Sequence, residues 1–348
     1  MFLSSLNLQD FRNWEREKFD FSSDISLIIG QNAAGKTNIL EAIYLLATGR
    51  SFRARLEKEM IRNDCEMGFA KGLIKTNGLL DAENEVEIIL TNGEVMAKRT
   101  AKKIYKVNGV GKRKSDFVGN LIAVLFRPED IEIVIGSPSI RRDYLDLVLE
   151  QIDRDYLRSS LPYKKGLRQR NKLLLKIRDG EAQRSQLYFW DNFLIKNGDL
   201  ISDKRREFID FLNESFHDLS VEYDASAISK ERLAKYSQQE IAVGTTLVGP
   251  HRDDFIIKDK KGRNLSLFGS RGEQRMSILY LKIAELGFIE KRTDEHPVLL
   301  LDDIFSELDE NHRDEVLKII PKQQTIITTT ESELIEKKFR DIIKIIRI

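Results

Sequence analysis

Near the start of the chain, Gly30-Gln31-Asn32-Ala33-Ala34-Gly35-Lys36-Thr37 has the residue types and the spacing of a phosphate cradle. Glycines let the backbone curl until successive N–H groups point inward at phosphate oxygens. Lys36 would reach the β- and γ-phosphates, and the Thr37 hydroxyl would ligate Mg²⁺. Asn38 opens a helix whose N-terminal partial charge adds to the attraction. Such a pattern carries this meaning only between a strand and a helix. Ile25-Ser26-Leu27-Ile28-Ile29 reads as a buried strand, and the residues from Asn38 to Leu46 are apolar at helical spacing.

A cradle of this kind needs a carboxylate for the cation, at the end of a buried strand beside the P-loop strand. Pro297-Val298-Leu299-Leu300-Leu301-Asp302-Asp303 supplies it. An unbroken apolar run suits a central parallel strand, with Asp302 on the magnesium side and Asp303 placed to polarise a water. Most of the chain separates Lys36 from Asp302, so one ATPase fold must be interrupted by an insertion. That favours an ABC-type head over a small GTPase or kinase. Between the two motifs, Ser270-Arg271-Gly272-Glu273-Gln274 leads into a helix with Ser270 as a candidate N-cap. Its order matches the signature of ABC ATPases, which grips the γ-phosphate held by the other subunit of a head-to-tail dimer. Ser306 and Asp309 sit where the D-loop would cross that interface. Gln324-Thr325-Ile326-Ile327-Thr328-Thr329-Thr330 reads as a further buried strand, with threonines where ABC ATPases usually carry a histidine.

Composition limits the rest. The chain has 348 residues, 41% hydrophobic and 32% charged, with a formal net charge of +1. Any surface for a polyanion must therefore be a local patch. A single cysteine, Cys65, excludes an internal disulfide and a cysteine zinc site, and points to a cytoplasmic, reducing setting. No signal peptide and no run long enough for a membrane span is visible. His251 and the other three histidines form no ligand spacing.

Two basic blocks could meet DNA phosphates. The first contains Lys98, Arg99, Lys102, Lys103, Lys106, Lys112, Arg113 and Lys114, around a hairpin turn at Asn108-Gly109. The second contains Lys164, Lys165, Arg168, Arg170, Lys172, Lys176 and Arg178 in a helical stretch. Each reads equally well as a solvated charged face. Aromatic residues are sparse within these blocks, so stacking on single-stranded bases is not expected.

Taken together, these segments resemble the RecF family of bacterial recombination-repair ATPases, related to Rad50 and SMC heads. The resemblance rests on Leu8-Gln9-Asp10-Phe11-Arg12-Asn13, the P-loop with its helix, Thr48-Gly49-Arg50-Ser51-Phe52-Arg53, Phe126-Arg127-Pro128-Glu129-Asp130, Gly136-Ser137-Pro138-Ser139-Ile140-Arg141-Arg142 and Gly249-Pro250-His251-Arg252-Asp253-Asp254, with the signature and Walker B stretches. Two positions depart from expectation: Glu273 stands in place of a glutamine, and Asp303 in place of the glutamate usual in ABC ATPases. No long heptad arm or cysteine hook is present. The expected fold is an α/β, ABC-type (Rad50/SMC head-like) P-loop ATPase lobe with an inserted, mainly helical lobe. Its parts would be 1–130, the insertion 131–244, and 245–348. The resemblance implies an ATP- and Mg²⁺-dependent homodimer with weak ATPase activity. It would grip double-stranded or gapped DNA and work with RecR, and indirectly RecO and RecA. A nuclease head of the overcoming-lysogenisation-defect type and a transporter ATPase subunit are the alternatives.

Overall fold

The computed structural model of the chain describes residues 1–76, 83–306, 310–330 and 333–348. They form two compact units, Met1–Asp130 with Glu285–Ile348, and Ile131–Ala284.

The first unit is built on two sheets. One is antiparallel, ordered Trp14–Asp20, Phe2–Phe11, Met67–Lys75, Glu83–Thr91, Lys103–Val107, Val110–Lys112. Strict alternation of buried and half-buried residues along Met67–Lys75 marks a sheet with one face in the core. Its last hairpin turns at Asn108 and Gly109, both with positive φ (51° and 75°), the backbone a tight two-residue turn demands. The other sheet is parallel throughout, ordered Ala123–Phe126, Val298–Asp302, Thr325–Thr329, Ile25–Ile29, Ile343–Arg347. Val298–Asp302 and Thr325–Thr329 are buried along their length, as central strands of a parallel sheet are. The helix Lys36–Thr48 touches strands of both sheets. Eleven of its thirteen residues are buried, Lys36, Glu41 and Thr48 among them, so it is enclosed nearly all round instead of on one stripe.

The order of the parallel sheet corrects one expectation. The Asp302 strand does not lie beside the P-loop strand; Thr325–Thr329 separates them. The carboxylate therefore approaches the loop across one intervening strand.

The second unit is mainly helical: Pro138–Ile152, Arg154–Arg178, Leu187–Ser215 and Lys230–Val243. Asp153 caps the second of these, accepting from the N–H groups of Asp155 and Tyr156. This unit runs to Ala284, beyond the boundary at 244 expected from sequence. The cause is the strand Asp254–Asp259, which pairs antiparallel with Leu219–Asp224. Asp254 is further held by a bidentate Arg141 at 2.6 and 2.9 Å. The helix Arg271–Thr293 begins in this unit and ends in the other.

Candidate nucleotide site

The strand Ile25–Ile29 delivers the loop of residues 30–37 to the carboxyl end of the parallel sheet, where open α/β folds place their ligands. Gln31, Asn32 and Ala33 are exposed, while Gly35 and Lys36 are buried. Ala33 (φ 67°) and Gly35 (φ 108°) turn the loop inward. Gly35 must be glycine, since a Cβ there would stand 2.6 Å from Asn13 Nδ2 and 2.9 Å from the Trp14 ring. Lys36 Nζ donates to the carbonyls of Gly30 (2.6 Å) and Gln31 (3.0 Å). Two of its three N–H groups thus brace the loop, and the third remains for an anion.

Across the sheet, Thr37 Oγ1 donates to Asp302 Oδ1 at 3.0 Å, and Thr328 Oγ1 donates to the same oxygen at 2.7 Å. Burial raises the Asp302 carboxyl above its ordinary value, against the pull of those two hydroxyls. A desolvated carboxylate beside a threonine hydroxyl is an oxygen pair suited to a hard cation. No cluster of three His, Cys, Asp or Glu side chains fit for a metal occurs among the described residues. Asp303 follows with positive φ (49°), its N–H donating to the Thr328 carbonyl at 3.1 Å. Ser306 ends the short turn Ile304–Ser306; Asp309 lies outside the described residues.

Several residues left without a role at the sequence level hold the cradle in place. Arg12 makes a bidentate pair with the wholly buried Glu41 of the P-loop helix, at 2.6 and 2.8 Å. The Ser51 hydroxyl donates to the same carboxylate. Asn13 Nδ2 donates to the Ala34 carbonyl (3.1 Å), Asn38 Nδ2 to Asn13 Oδ1 (2.7 Å), and Arg53 to Asn38 Oδ1 (2.8 Å). Arg127 lies 5.0 Å from the Phe52 ring centre and pairs with Asp130 at 3.3 Å. The motif segments of the first unit therefore converge on one loop. Ile348 closes the other side: a Cβ on Gly30 would meet its side chain and its carbonyl oxygen, each at 2.8 Å. The spacing of the segments was visible in sequence, but their mutual contacts were not.

At the signature turn, Ser270, Arg271, Gly272 and Glu273 are exposed, and a Cβ on Gly272 would meet nothing within 4 Å. Ser270 Oγ accepts from Glu273 N at 3.3 Å, and Glu273 Oε2 accepts from Ser270 N at 2.7 Å. This reciprocal capping box lowers the Glu273 carboxyl below its ordinary value. Gln274 does not face solvent with its neighbours; it is buried, and its amide donates to the Leu265 carbonyl.

The basic blocks divide. Lys103 donates to the Gly49 carbonyl and pairs with Glu57 at 3.4 Å; burial lowers its ammonium below the ordinary value. Lys106 pairs with Glu87 at 3.1 Å. Lys164 is held between Asp146 (2.5 Å) and Glu150 (3.2 Å), and Arg170 is buried against Asp191 and Glu240. These four are spent on structure by acids brought in from distant positions. Lys114 is half-buried, whereas Lys102, Lys112, Arg113, Lys165 and Arg168 are exposed.

The motif around His251 is also structural. Arg205, buried, bridges Asp146 (2.7 Å) and the fully buried Asp253 (2.8 Å), and Tyr223 donates to Asp253 at 2.5 Å. His251 Nε2 lies 3.0 Å from the Thr246 carbonyl, so it carries the proton and Nδ1 accepts from Tyr163 at 2.8 Å. Burial, reinforced by neighbouring arginines, lowers this imidazole to about 4.

The model of the "RecF/RecN/SMC N terminal domain" matches residues 2–347. The chain is 39% identical to the DNA replication and repair protein RecF of Herpetosiphon aurantiacus, covering 95% of this chain and 94% of that one. It is 38% identical to the protein of the same name from Bacillus cereus, covering 97% and 94%. Among solved structures it is similar to the recombination mediator protein RecF with ATPrS (TM-score 0.86, 32% identity, 100% and 96% covered). It is similar also to RecF with ATP (TM-score 0.86, 35% identity, 95% and 92% covered). An Smc head domain from Pyrococcus yayanosii, 14% identical with a TM-score of 0.53 over 99% and 94% of the chains, shares the fold alone. The chain therefore has the ABC-type ATPase head fold and belongs to the RecF family of DNA replication and repair proteins.

Proposed function

We propose that the chain binds ATP with Mg²⁺ and uses it to close a head-to-tail homodimer on double-stranded or gapped DNA. Slow hydrolysis then releases the DNA. The reading rests above all on Thr37 and Asp302: residues at opposite ends of the chain meet at 3.0 Å beside a phosphate loop. The similarity to RecF structures holding ATP and ATPrS supports it. Thr37 and Asp302 would hold Mg²⁺, which supplies charge neutralisation between the phosphates. Gly30, Ala34 and Gly35 shape the cradle, Lys36 braces it and meets the phosphates, and Asp303 orients the attacking water. The exposed Ser270 and Gly272 would complete the site of the opposite subunit. Within its pathway, the dimer would work with RecR, and through RecO help load RecA.

Sedimentation with ATP, ADP or no nucleotide, with and without gapped DNA, tests this. The wild type should dimerise only with ATP. Ser270→Arg should bind ATP as before yet remain monomeric; an intact ATP dimer in that variant would overturn the proposed geometry.

A further inference from the structure

We propose that the pair of helices Arg154–Arg178 and Leu187–Ser215 carries a site for single-stranded nucleic acid. There Phe189, Trp190 and Phe193 stack on bases while basic residues of the neighbouring helix hold the phosphates.

The rings form one cluster. Phe189 and Phe193 are stacked with centroids 6.2 Å apart, and Trp190 meets both edge-on, at 5.0 and 6.0 Å. Phe189 is 63% exposed, and Trp190 and Phe193 are half-buried. A rigid aromatic cluster with an open ring face is a platform that any base can stack on, whatever its sequence.

The helix pairing places this cluster beside the unpaired part of the second basic block. Arg170 bonds Asp191 at 2.8 Å and Asn171 bonds Thr246 at 2.9 Å, which fixes one flank of the pair. The opposite flank must then hold Trp190 and Phe193 on one helix. Phe193 confirms the register, since a Cβ on Gly166 would stand 2.8 Å from its ring. On the facing helix, Arg158, Lys165, Lys172 and Lys176 are spaced seven, seven and four apart and so share that flank. All four are exposed, and none makes an ion pair among the described residues. Between Arg158 and Lys176 the sequence carries no carboxylate, and on the facing helix Glu207, which shares the flank of Phe193 farther along, pairs with Lys204 at 3.8 Å. Four unneutralised cations along a helix, bordered by open rings, complement a strand with charged phosphates and unstacked bases. A duplex would offer the phosphates but hide its base faces. Aromatic residues looked sparse within the basic block because the rings arrive from the next helix.

The site needs no nucleotide, so it is testable apart from the ATP-driven dimer. The chain has two tryptophans, Trp14 and Trp190. Titrating the full chain with oligo(dT), without ATP, should quench tryptophan emission, and Trp190→Phe should lose that quenching. Phe189→Ala should weaken oligo(dT) binding on the order of tenfold, with Phe189→Tyr close to wild type. Lys165→Gln with Lys172→Gln should flatten the salt dependence by roughly one unit of log–log slope. Ser270→Arg should bind oligo(dT) normally, which separates failure here from failure of the clamp. Unchanged Trp190 emission on binding, or wild-type affinity in Phe189→Ala, overturns the proposal. Loss of a protein partner in Phe189→Ala with oligo(dT) binding intact overturns it equally.

Discussion

The helices Lys36–Thr48 and Arg271–Thr293 both start at a turn that could receive phosphate, but their first turns differ. The first has no carboxylate there, and its lysine folds back over the loop. The second places Glu273 in its first turn, bonded to the Ser270 N–H that an anion would need. A helix start that must take phosphate unaided keeps competing acids away. One that meets phosphate only when another copy supplies it can keep its N–H groups capped until then. On the proposed reading, the first start binds ATP in the monomer, and the second acts only on closure. The comparison breaks if the two sites respond alike to substitution.

The largest expected separation comes from Thr37→Ala. Removing the hydroxyl deletes the bond to Asp302 and the cation ligand proposed above, and should weaken Mg–ATP binding by the monomer about a hundredfold, ~2.7 kcal/mol. Calorimetric titration checks this. An equal loss in Ser270→Arg would erase the distinction between the two helix starts. Glu273→Gln is the sharper second test. It removes a charge that opposes phosphate while keeping an amide that can reach Ser270. ATP-driven dimerisation should strengthen roughly tenfold, about 1.4 kcal/mol, with monomer ATP affinity unchanged. Weaker dimerisation, measured by sedimentation equilibrium, would mean that the carboxylate helps the grip.

A smaller effect concerns stability at the first site. Asp302 has its carboxyl raised mainly by burial. An acid held above its unfolded value keeps its proton more tightly when folded, so the ionised form works against folding. That penalty is full above the folded-state value and fades as pH falls toward the unfolded one. Asp302→Asn should therefore raise the melting temperature of the nucleotide-free protein at neutral pH by roughly 2 °C. The same variant should lose the stabilisation that Mg–ATP gives the wild type. A nucleotide-free protein that melts lower would assign Asp302 a structural role.

Much of this arrangement was legible in sequence where a local rule forces it. The glycines and Lys36 mark the cradle, the apolar run before Asp302 marks a central strand, and Ser270 marks a capped helix start, whereas the return bond from Glu273 emerges only in the fold. What could not be read is what distant segments do to one another. Nothing in the block from Lys98 to Lys114 shows that Glu57 and Glu87 neutralise Lys103 and Lys106. Asp146 and Glu150 likewise take Lys164 out of the second block. The His251 motif has no ligand spacing in the sequence, and in the fold its charges close on themselves through Arg205. Buried charge needs a partner wherever the chain can bring one, so motif density alone does not separate a site from a scaffold.

Asn13 gives the finest test of the comparison, because it touches the first helix start without touching any ligand proposed for it. Its amide donates to the Ala34 carbonyl and its oxygen accepts from Asn38, so it fixes the loop from behind. Asn13→Ala removes both bonds and opens space beside Gly35, where a Cβ would now meet less of the Asn13 side chain. The Lys36 brace and the Thr37–Asp302 bond remain, so the cradle should loosen without collapsing. Mg–ATP affinity should fall about threefold, ~0.7 kcal/mol, within the usual range for a lost hydrogen bond. Dimerisation at saturating ATP should be unaffected, since on the proposed reading a filled cradle would present the same phosphate to the signature turn. A dimerisation defect that saturating ATP cannot repair would show that Asn13 acts at the interface itself, and the two helix starts could then no longer be treated as independent.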